Sequence, residues 1–389
     1  MRPKIENKQR IVANGAAAIV TVEEAEHIVD ESVYVASQWR LMWWKLRRHR
    51  LAVISGIVLI LIYFLGALCE FVSPYDPNEY DAGYSYAPPQ LIRFVGKDGI
   101  HLRPFIYGYK TELDMDTLTK KYVADTDQVQ PIYFFVKGDS YRFWGLWKTD
   151  IHFFGVEGGK ILLLGADRMG RDLLSRLLYG ARISTSIGLI GVFMSFILGI
   201  LIGGFSGYYG GYFDIIVQRF IEFLRSIPTI PLWMGLSAAL PPHWPPVRVY
   251  FGITIILSLI GWTGLARVVR SKFLSLREED FVMAARLAGA SEFRIITRHM
   301  LPSFWSHIIA SITLAIPGMI LGETGLSFLG LGLRPPAISW GVLLQDAQNV
   351  RTVALTPWLL LPGLMVVITV LAFNFLGDGL RDAADPYAR

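Results

Sequence analysis

Residues Leu51 to Cys69 read LAVISGIVLILIYFLGALC, a run with no charged side chain, closed by Arg50 on one side and Glu70 on the other. A helix rises 1.5 Å per residue, so about 20 apolar residues cross the roughly 30 Å of hydrocarbon in a bilayer. This run meets that length, and Lys45, Arg47, Arg48 and Arg50 crowd its leading end. It is the first transmembrane helix, and the rest of the chain is organised by repeats of the same pattern.

Five further charge-free runs follow, between Arg182 and Asp214, Arg225 and Arg248, Arg248 and Arg267, Arg298 and Glu323, and Arg351 and Asp378. The second of these holds Pro228, Pro231 and the turn Pro241-Pro242-His243-Trp244-Pro245-Pro246, and is the weakest of the six. Over all 389 residues, 53% are hydrophobic and only 18% charged, more apolar surface than one globular core can hide. The expected fold class is an all-α polytopic membrane protein with six transmembrane helices and a small β-rich extracytoplasmic insertion.

Lys and Arg near helix ends stay on the cytoplasmic side. Arg267, Arg270, Lys272, Arg277, Arg286, Arg294 and Arg298 crowd one loop. With six helices in order, that loop shares a side with the Lys45 to Arg50 cluster, which places both termini in the cytoplasm. The net charge of +5 expresses this bias rather than a nucleic-acid surface. Polar residues including Glu23, Glu24, Glu26, Asp30 and Glu31 precede the first apolar run, so no cleavable signal peptide is expected. The single cysteine, Cys69, excludes an internal disulfide and reads as a small buried apolar residue.

The domain reading is as follows. Residues 1–50 form a cytosolic arm, partly disordered, with a short helix at the acidic stretch and an interfacial helix from Gln38 that interleaves Trp39, Trp43 and Trp44 with Arg40, Lys45 and Arg47. The first span takes residues 51–71. Residues 72–164 are the insertion, where QPIYFFV (Gln130 to Val136) and YRFWGLWKTDIHFF (Tyr141 to Phe154) favour short strands. Residues 165–377 are a helical core with a cytosolic loop at 272–302, and 378–389 a cytosolic tail. Gly188, Gly191, Gly199, Gly203, Gly204 and Gly207 in the core let helix backbones approach closely.

The loop carries the most information. Asp280 to Pro302 reads DFVMAARLAGASEFRIITRHMLP, in which Gly289 suits a helix stop and Ser291 a cap for a second short helix before Pro302. This pattern resembles the EAA loop of ABC importer permeases. Ala284 and Ala285 match its alanine pair, Gly289 its glycine, and Leu301 with Pro302 its closing dipeptide, while Met283 stands where the glutamate is usual. Glu279 and Asp280, one turn earlier, partly substitute for the missing charge.

Further stretches resemble the C-type subunits of dipeptide and oligopeptide permeases: Gly165 to Arg182 at the entry to helix two, Gly207 to Gly211, Glu323 to Gly332, and Gly377 to Asp382 with Asp385-Pro386. The insertion is longer than in the ordinary subunit, and it either contacts a binding protein or braces the outer face. The resemblance implies the type I ABC importer permease fold. It also implies a homologous second permease forming the other half of the pathway, two cytosolic ATPases docked on Met283 to Pro302, and an extracytoplasmic solute-binding protein. Peptides are the implied cargo, with nickel chelates, opines and oligosaccharides open.

Glu323 lies near the outer end of a span, which makes it, with Ser327, a pathway candidate. The plainer and preferred reading is a local cap or a pair with Arg334. Arg219, Glu222 and Arg225 share one helix region and read as the base of helix three. No G-x-x-x-x-G-K-[ST] is present, so ATP and Mg belong to the partner ATPases and no cofactor is expected here. The histidines lack metal-ligand spacing, and no enzyme motif stands in context. A stand-alone ion-coupled carrier would need inverted repeats and acidic groups at mid-membrane, and a tethered enzyme or receptor a catalytic set in 72–160.

Overall fold

The computed structural model describes residues 9–13, 16–20, 38–97, 99–114 and 119–384. β1 (Gln9–Ala13) and β2 (Ala16–Val20) pair as an antiparallel hairpin in the N-terminal arm. The acidic stretch expected to form a helix, and Asp385-Pro386, lie outside the described residues.

α1 (Gln38–Arg48) keeps Trp39 and Trp43 exposed, with Arg40 over the Trp44 ring at 4.8 Å and Arg47 over Trp43 at 5.9 Å. Stacked arginine and tryptophan suit the headgroup layer. The chain breaks at His49, whose Nδ1 accepts the Ala52 N–H at 3.2 Å, and α2 (Arg50–Ala67) begins. Ile54, Ile57, Ile60, Leu61 and Phe64 are all exposed on it, as on a helix solvated by lipid. The short α3 (Cys69–Val72) closes this passage.

The insertion is a four-stranded antiparallel meander in chain order, β3 (Arg93–Gly96), β4 (Gly99–Asp114), β5 (Thr119–Phe143) and β6 (Trp147–Val156). β5 serves two neighbours in succession. Its first half pairs with β4, from Asp114↔Thr119 to Phe105↔Pro131, and its second with β6, from Ile132↔Val156 to Phe143↔Trp147. Ile106, Ile132, Phe154 and Ile161 form its core. With strands of 16 and 25 residues the sheet is a layer in its own right, so the chain is not all-α.

The helical core follows as α4 (Leu173–Tyr209), α5 (Gly211–Ser226), α6 (Thr229–Ala238), α7 (Pro246–Leu276), α8 (Asp280–Leu287), α9 (Trp305–Phe328), α10 (Trp340–Leu343), α11 (Val350–Leu355) and α12 (Leu361–Ala384). Among the described residues, five segments are long and apolar enough to cross a membrane: α2, α4, α7, α9 and Pro357–Ala384. The expected span between Arg225 and Arg248 is not one continuous helix. Ile227 and Pro228 are extended, Pro lacks the N–H that would carry a helix through, and α6 has only 10 residues. The last helix runs to Ala384, so residues 378–384 continue that helix.

The glycines pack helices, as expected. A Cβ on Gly203 would sit 2.3 Å from the Ala266 carbonyl oxygen, on Gly207 2.6 Å from that of Arg270, and on Gly199 3.0 Å from Leu265. These positions recur every four residues and form one stripe on α4, against which the α7 backbone lies.

Candidate functional site

α8 ends in a hydrogen-bonding pattern that requires Gly289. Gly289 N–H donates to Arg286 O at 3.0 Å and Ala290 N–H to Ala285 O at 3.1 Å, while Gly289 itself takes φ +74°. This is a Schellman closure with glycine in the left-handed position. No atom lies within 4 Å of a Cβ built there, so backbone conformation selects the glycine, not space. Ser291 then accepts the Arg294 N–H at 3.4 Å and starts the second helical stretch, which runs to Ser303. Stop and cap both stand where the sequence predicts them.

One face of this pair of helices is built into the core. Val282, Ile295 and Met300 are buried with Tyr208, Val269, Phe273, Phe304 and Ile308. The opposite face presents Phe281, Met283, Leu287 and Phe293 to the outside, with Leu287 88% exposed. The alanine pair is divided between the two faces: Ala284 is exposed, while Ala285 packs on the buried cluster. Gly289 and Pro302 are exposed, and Leu301 lies half-buried. Met283 adds apolar surface where a carboxylate would add charge, and the Glu279 side chain makes no cap hydrogen bond.

Polar contacts tie this base to the long helices. Tyr209 Oη donates to Glu292 Oε2 at 2.6 Å, and the Arg286 guanidinium lies 5.8 Å from the Tyr208 ring centroid. Asp214 of α5 takes both arms of the Arg270 guanidinium and the Ser206 hydroxyl, the latter at 2.5 Å. α4, α5 and α7 therefore meet at a charge-assisted junction beside the loop. Arg219 and Glu222 bridge at 2.7 Å on an exposed helix face.

Glu323 is fully buried within α9. It accepts the Ser327 hydroxyl at 2.8 Å and the Ser184 hydroxyl at 3.0 Å. The expected partner does not take part, since Arg334 is exposed and donates to Gly330 O at 3.0 Å. These two serines pass the connection outward: Trp340 N–H donates to Ser184 Oγ at 3.1 Å and Leu333 N–H to Ser327 Oγ at 2.9 Å, while Ser339 Oγ caps α10 by accepting the Val342 N–H at 3.2 Å. Residues 330–343 are thus folded back onto α4 and α9, and Trp340 is completely buried with its Nε1 donating to Leu177 O at 3.1 Å. A Cβ on Gly341 would meet Thr324 O at 2.6 Å. Glu323 and Ser327 hold a loop, and the structure gives each a named partner.

At the insertion end, charges occupy the motif that enters α4. Arg182 donates to both oxygens of Glu70 and to the Gly66 and Ala67 carbonyls, closing the end of α2. Burial raises the Glu70 carboxyl, but the hydrogen bonds and charge of Arg182 together with backbone donors outweigh it and leave the group below its ordinary value. Asp167 accepts Arg171 Nε at 2.7 Å and lies 3.5 Å from Arg176 Nε. Asp172 caps α4 by accepting the Ser175 N–H at 2.7 Å and hydroxyl at 2.6 Å, and burial pushes its carboxyl up to about 6. A recess of about 850 Å³ opens nearby, lined among others by Tyr80, Tyr86, Lys120, Lys121, Arg168 and Trp358.

In the sequence Arg182 and Asp214 mark the ends of apolar runs, and nothing there pairs them with Glu70 and Arg270, or Glu323 with Ser184. The available signal was the charge itself. A lone Arg or Asp at the edge of a span has to be neutralised by something that reaches it.

Residues 199–389 match the family model of binding-protein-dependent transport system inner membrane components. Residues 37–89 match that of the N-terminal transmembrane domain of oligopeptide transport permease C. The chain is 39% identical over 227 residues to the dipeptide transport system permease protein DppC of Bacillus subtilis, covering 58% of this chain and 68% of that one. It is 42% identical over 226 residues to the oligopeptide transport system permease protein OppC of Haemophilus influenzae, covering 58% and 70%. Among solved structures, an inward-facing MetNI methionine ABC transporter chain matches at 18% identity and a TM-score of 0.42, over 54% of this chain and 96% of that one.

A multi-pass helical core with an anchored, outward-facing loop of two short helices defines a membrane subunit of a transporter. The chain belongs to the family of binding-protein-dependent transport system inner membrane components, and it is a permease subunit of an ABC importer.

Proposed function

We propose that the chain forms one half of the translocation pathway for peptides or peptide-like solutes, paired with a homologous second permease. Two ATPases bind ATP and Mg and dock on the loop, with Met283, Ala284, Gly289 and Pro302 on the contact face and Ala285 and Leu301 fixing that face to the core. A binding protein delivers solute at the opposite end, where the aromatic and basic recess beside the insertion offers a contact. Both termini lie in the cytoplasm, α5 and α6 together supply a sixth, interrupted crossing, and Glu323 with Ser327 fastens the outer loop rather than lining the path. The peptide cargo is supported by the names of the relatives.

The observation that carries this reading is the two-sidedness of the loop. An apolar face is exposed to the outside while its other face is built into α4, α7 and α9, which suits a rigid element that passes on a partner's movement. Affinity purification of the tagged chain in mild detergent, with mass spectrometry of what co-purifies, tests it. Recovery of a second permease and P-loop ATPases is expected. Recovery of the chain alone under several detergents, or unchanged assembly and transport in a Gly289→Asp variant, would sink the docking assignment.

A further inference from the structure

We infer that the turn joining β5 to β6, residues 144–147, is a foot that rests in the lipid headgroup layer beside α2. The inference rests on α2 being a membrane span and adds to it a second, non-helical membrane contact.

The first observation is what the turn exposes. Trp144 is 55%, Leu146 71% and Trp147 67% exposed, and Phe134 and Phe135 on the same sheet are exposed as well. The second is where it stands. Trp144 Nε1 donates to the carbonyl oxygen of Ala67, the last residue of α2, at 3.0 Å, and the Arg182 guanidinium lies 4.7 Å from the Trp144 ring centroid. Phe71, just past α2, touches Phe135 and Phe153 with ring centroids 6.1 and 5.9 Å apart. The patch is therefore continuous with the lipid-facing surface of α2 at Leu61 and Phe64. It sits at the level where that helix leaves the hydrocarbon, and tryptophan is enriched at that level.

The third observation is strain. Trp144 takes φ +51° ahead of Gly145 at φ +75°, and Leu146 N–H donates to Phe143 O at 3.0 Å. A turn with two positive φ angles favours Asn or Gly at its first central position, and a tryptophan held there points to a use for its side chain. The fourth is charge. Arg142 and Lys148 face each other across the strands directly behind the turn, both exposed and neither in an ion pair among the described residues. Like charges directly opposite repel, and lipid phosphates would relieve them. Aromatic residues in front and cations behind match the order of layers at a bilayer surface.

The test uses the full chain, co-expressed with the subunits that co-purify with it and reconstituted in nanodiscs. Cys69 is the chain's one cysteine and is buried. In a Cys69→Ala background, single cysteines introduced as Leu146→Cys, Ile57→Cys and Leu102→Cys carry a fluorophore. Quenching is compared between nitroxide lipids labelled near the headgroup, nitroxide lipids labelled deep in the acyl chain, and aqueous iodide. The label at 146 should lose most of its intensity to the headgroup-proximal nitroxide and little to iodide. The label at 57 should respond to the deep nitroxide, and that at 102, on the fully exposed Leu102, to iodide alone. If 146 behaves like 102, the turn stands in water and the inference fails. If 146 is shielded from all three quenchers, a protein subunit covers it and the inference fails in favour of that interface. Loss of lipid quenching at 57 would overturn the span itself.

Discussion

Replacing Glu323 with leucine removes the acceptor shared by two hydroxyls that already have their other positions filled. Ser184 Oγ accepts Trp340 N–H at 3.1 Å and Ser327 Oγ accepts Leu333 N–H at 2.9 Å, so each hydroxyl hydrogen has Glu323 as its outlet. All of these groups are buried, and a buried donor left without a partner costs about 1–3 kcal/mol, so the substitution should destabilise the fold by roughly 2–6 kcal/mol. Glu323→Gln keeps one carbonyl acceptor and should lose about half of that. Thermal unfolding in detergent, read as loss of the monodisperse species, gives the order wild type, glutamine, leucine. Hydrogen exchange should show the Trp340 amide opening in the leucine variant well below global unfolding. A leucine variant with wild-type melting and a protected Trp340 amide would refute the view that the carboxylate fastens residues 330–343.

Three other outcomes follow from the same kind of reasoning. Gly289→Ala places a Cβ on a residue at φ +74° and should cost about 1 kcal/mol, with Gly289→Asn milder because Asn tolerates that region, as paired melting curves would show. Gly203→Val drives side-chain atoms into the Ala266 carbonyl and should destabilise by about 1–3 kcal/mol or more, whereas Gly264→Ala, with nothing within 4 Å of its Cβ, should be neutral in the same assay. Asp172 is pushed up from an ordinary 3.8 to about 6, so the folded state holds a proton that the unfolded state has released. Its contribution is full below about pH 4 and is lost as pH rises through about 6, a change of up to about 3 kcal/mol. Melting at about pH 5 and pH 7 should therefore show a slope that Asp172→Asn flattens.

Five spans were legible because charge-free length is a direct reading of hydrocarbon thickness, and that criterion found α2, α4, α7, α9 and the last helix. Between Arg225 and Arg248 the same criterion reads one continuous run, because proline carries no charge, where the helix is broken at Pro228. Gly289 was legible because a helix stop depends on its own few residues. The Glu323 cage was not, because Ser184 lies 139 residues away and a serine in an apolar run looks like any small packing residue. The strands of the insertion were visible in their aromatic and β-branched composition. That a single strand of 25 residues serves two partners depends on pairing, which composition does not encode.

α4 has 37 residues and no proline, which at 1.5 Å per residue makes a rod of about 55 Å, far longer than the hydrocarbon it crosses. Its first turn carries the Asp172 cap, and Arg182 grips the end of α2. Its last residue, Tyr209, holds the loop that carries α8 through Glu292. The glycine stripe seats α4 against α7 so closely that neither can roll about its own axis without backbone collision. The two helices are then a single beam, and a push on the loop can only tilt or slide the beam as a whole. With ATPases docked on that loop as proposed, a gate at the far end would have to open in the same stroke as they close, with no slack in between.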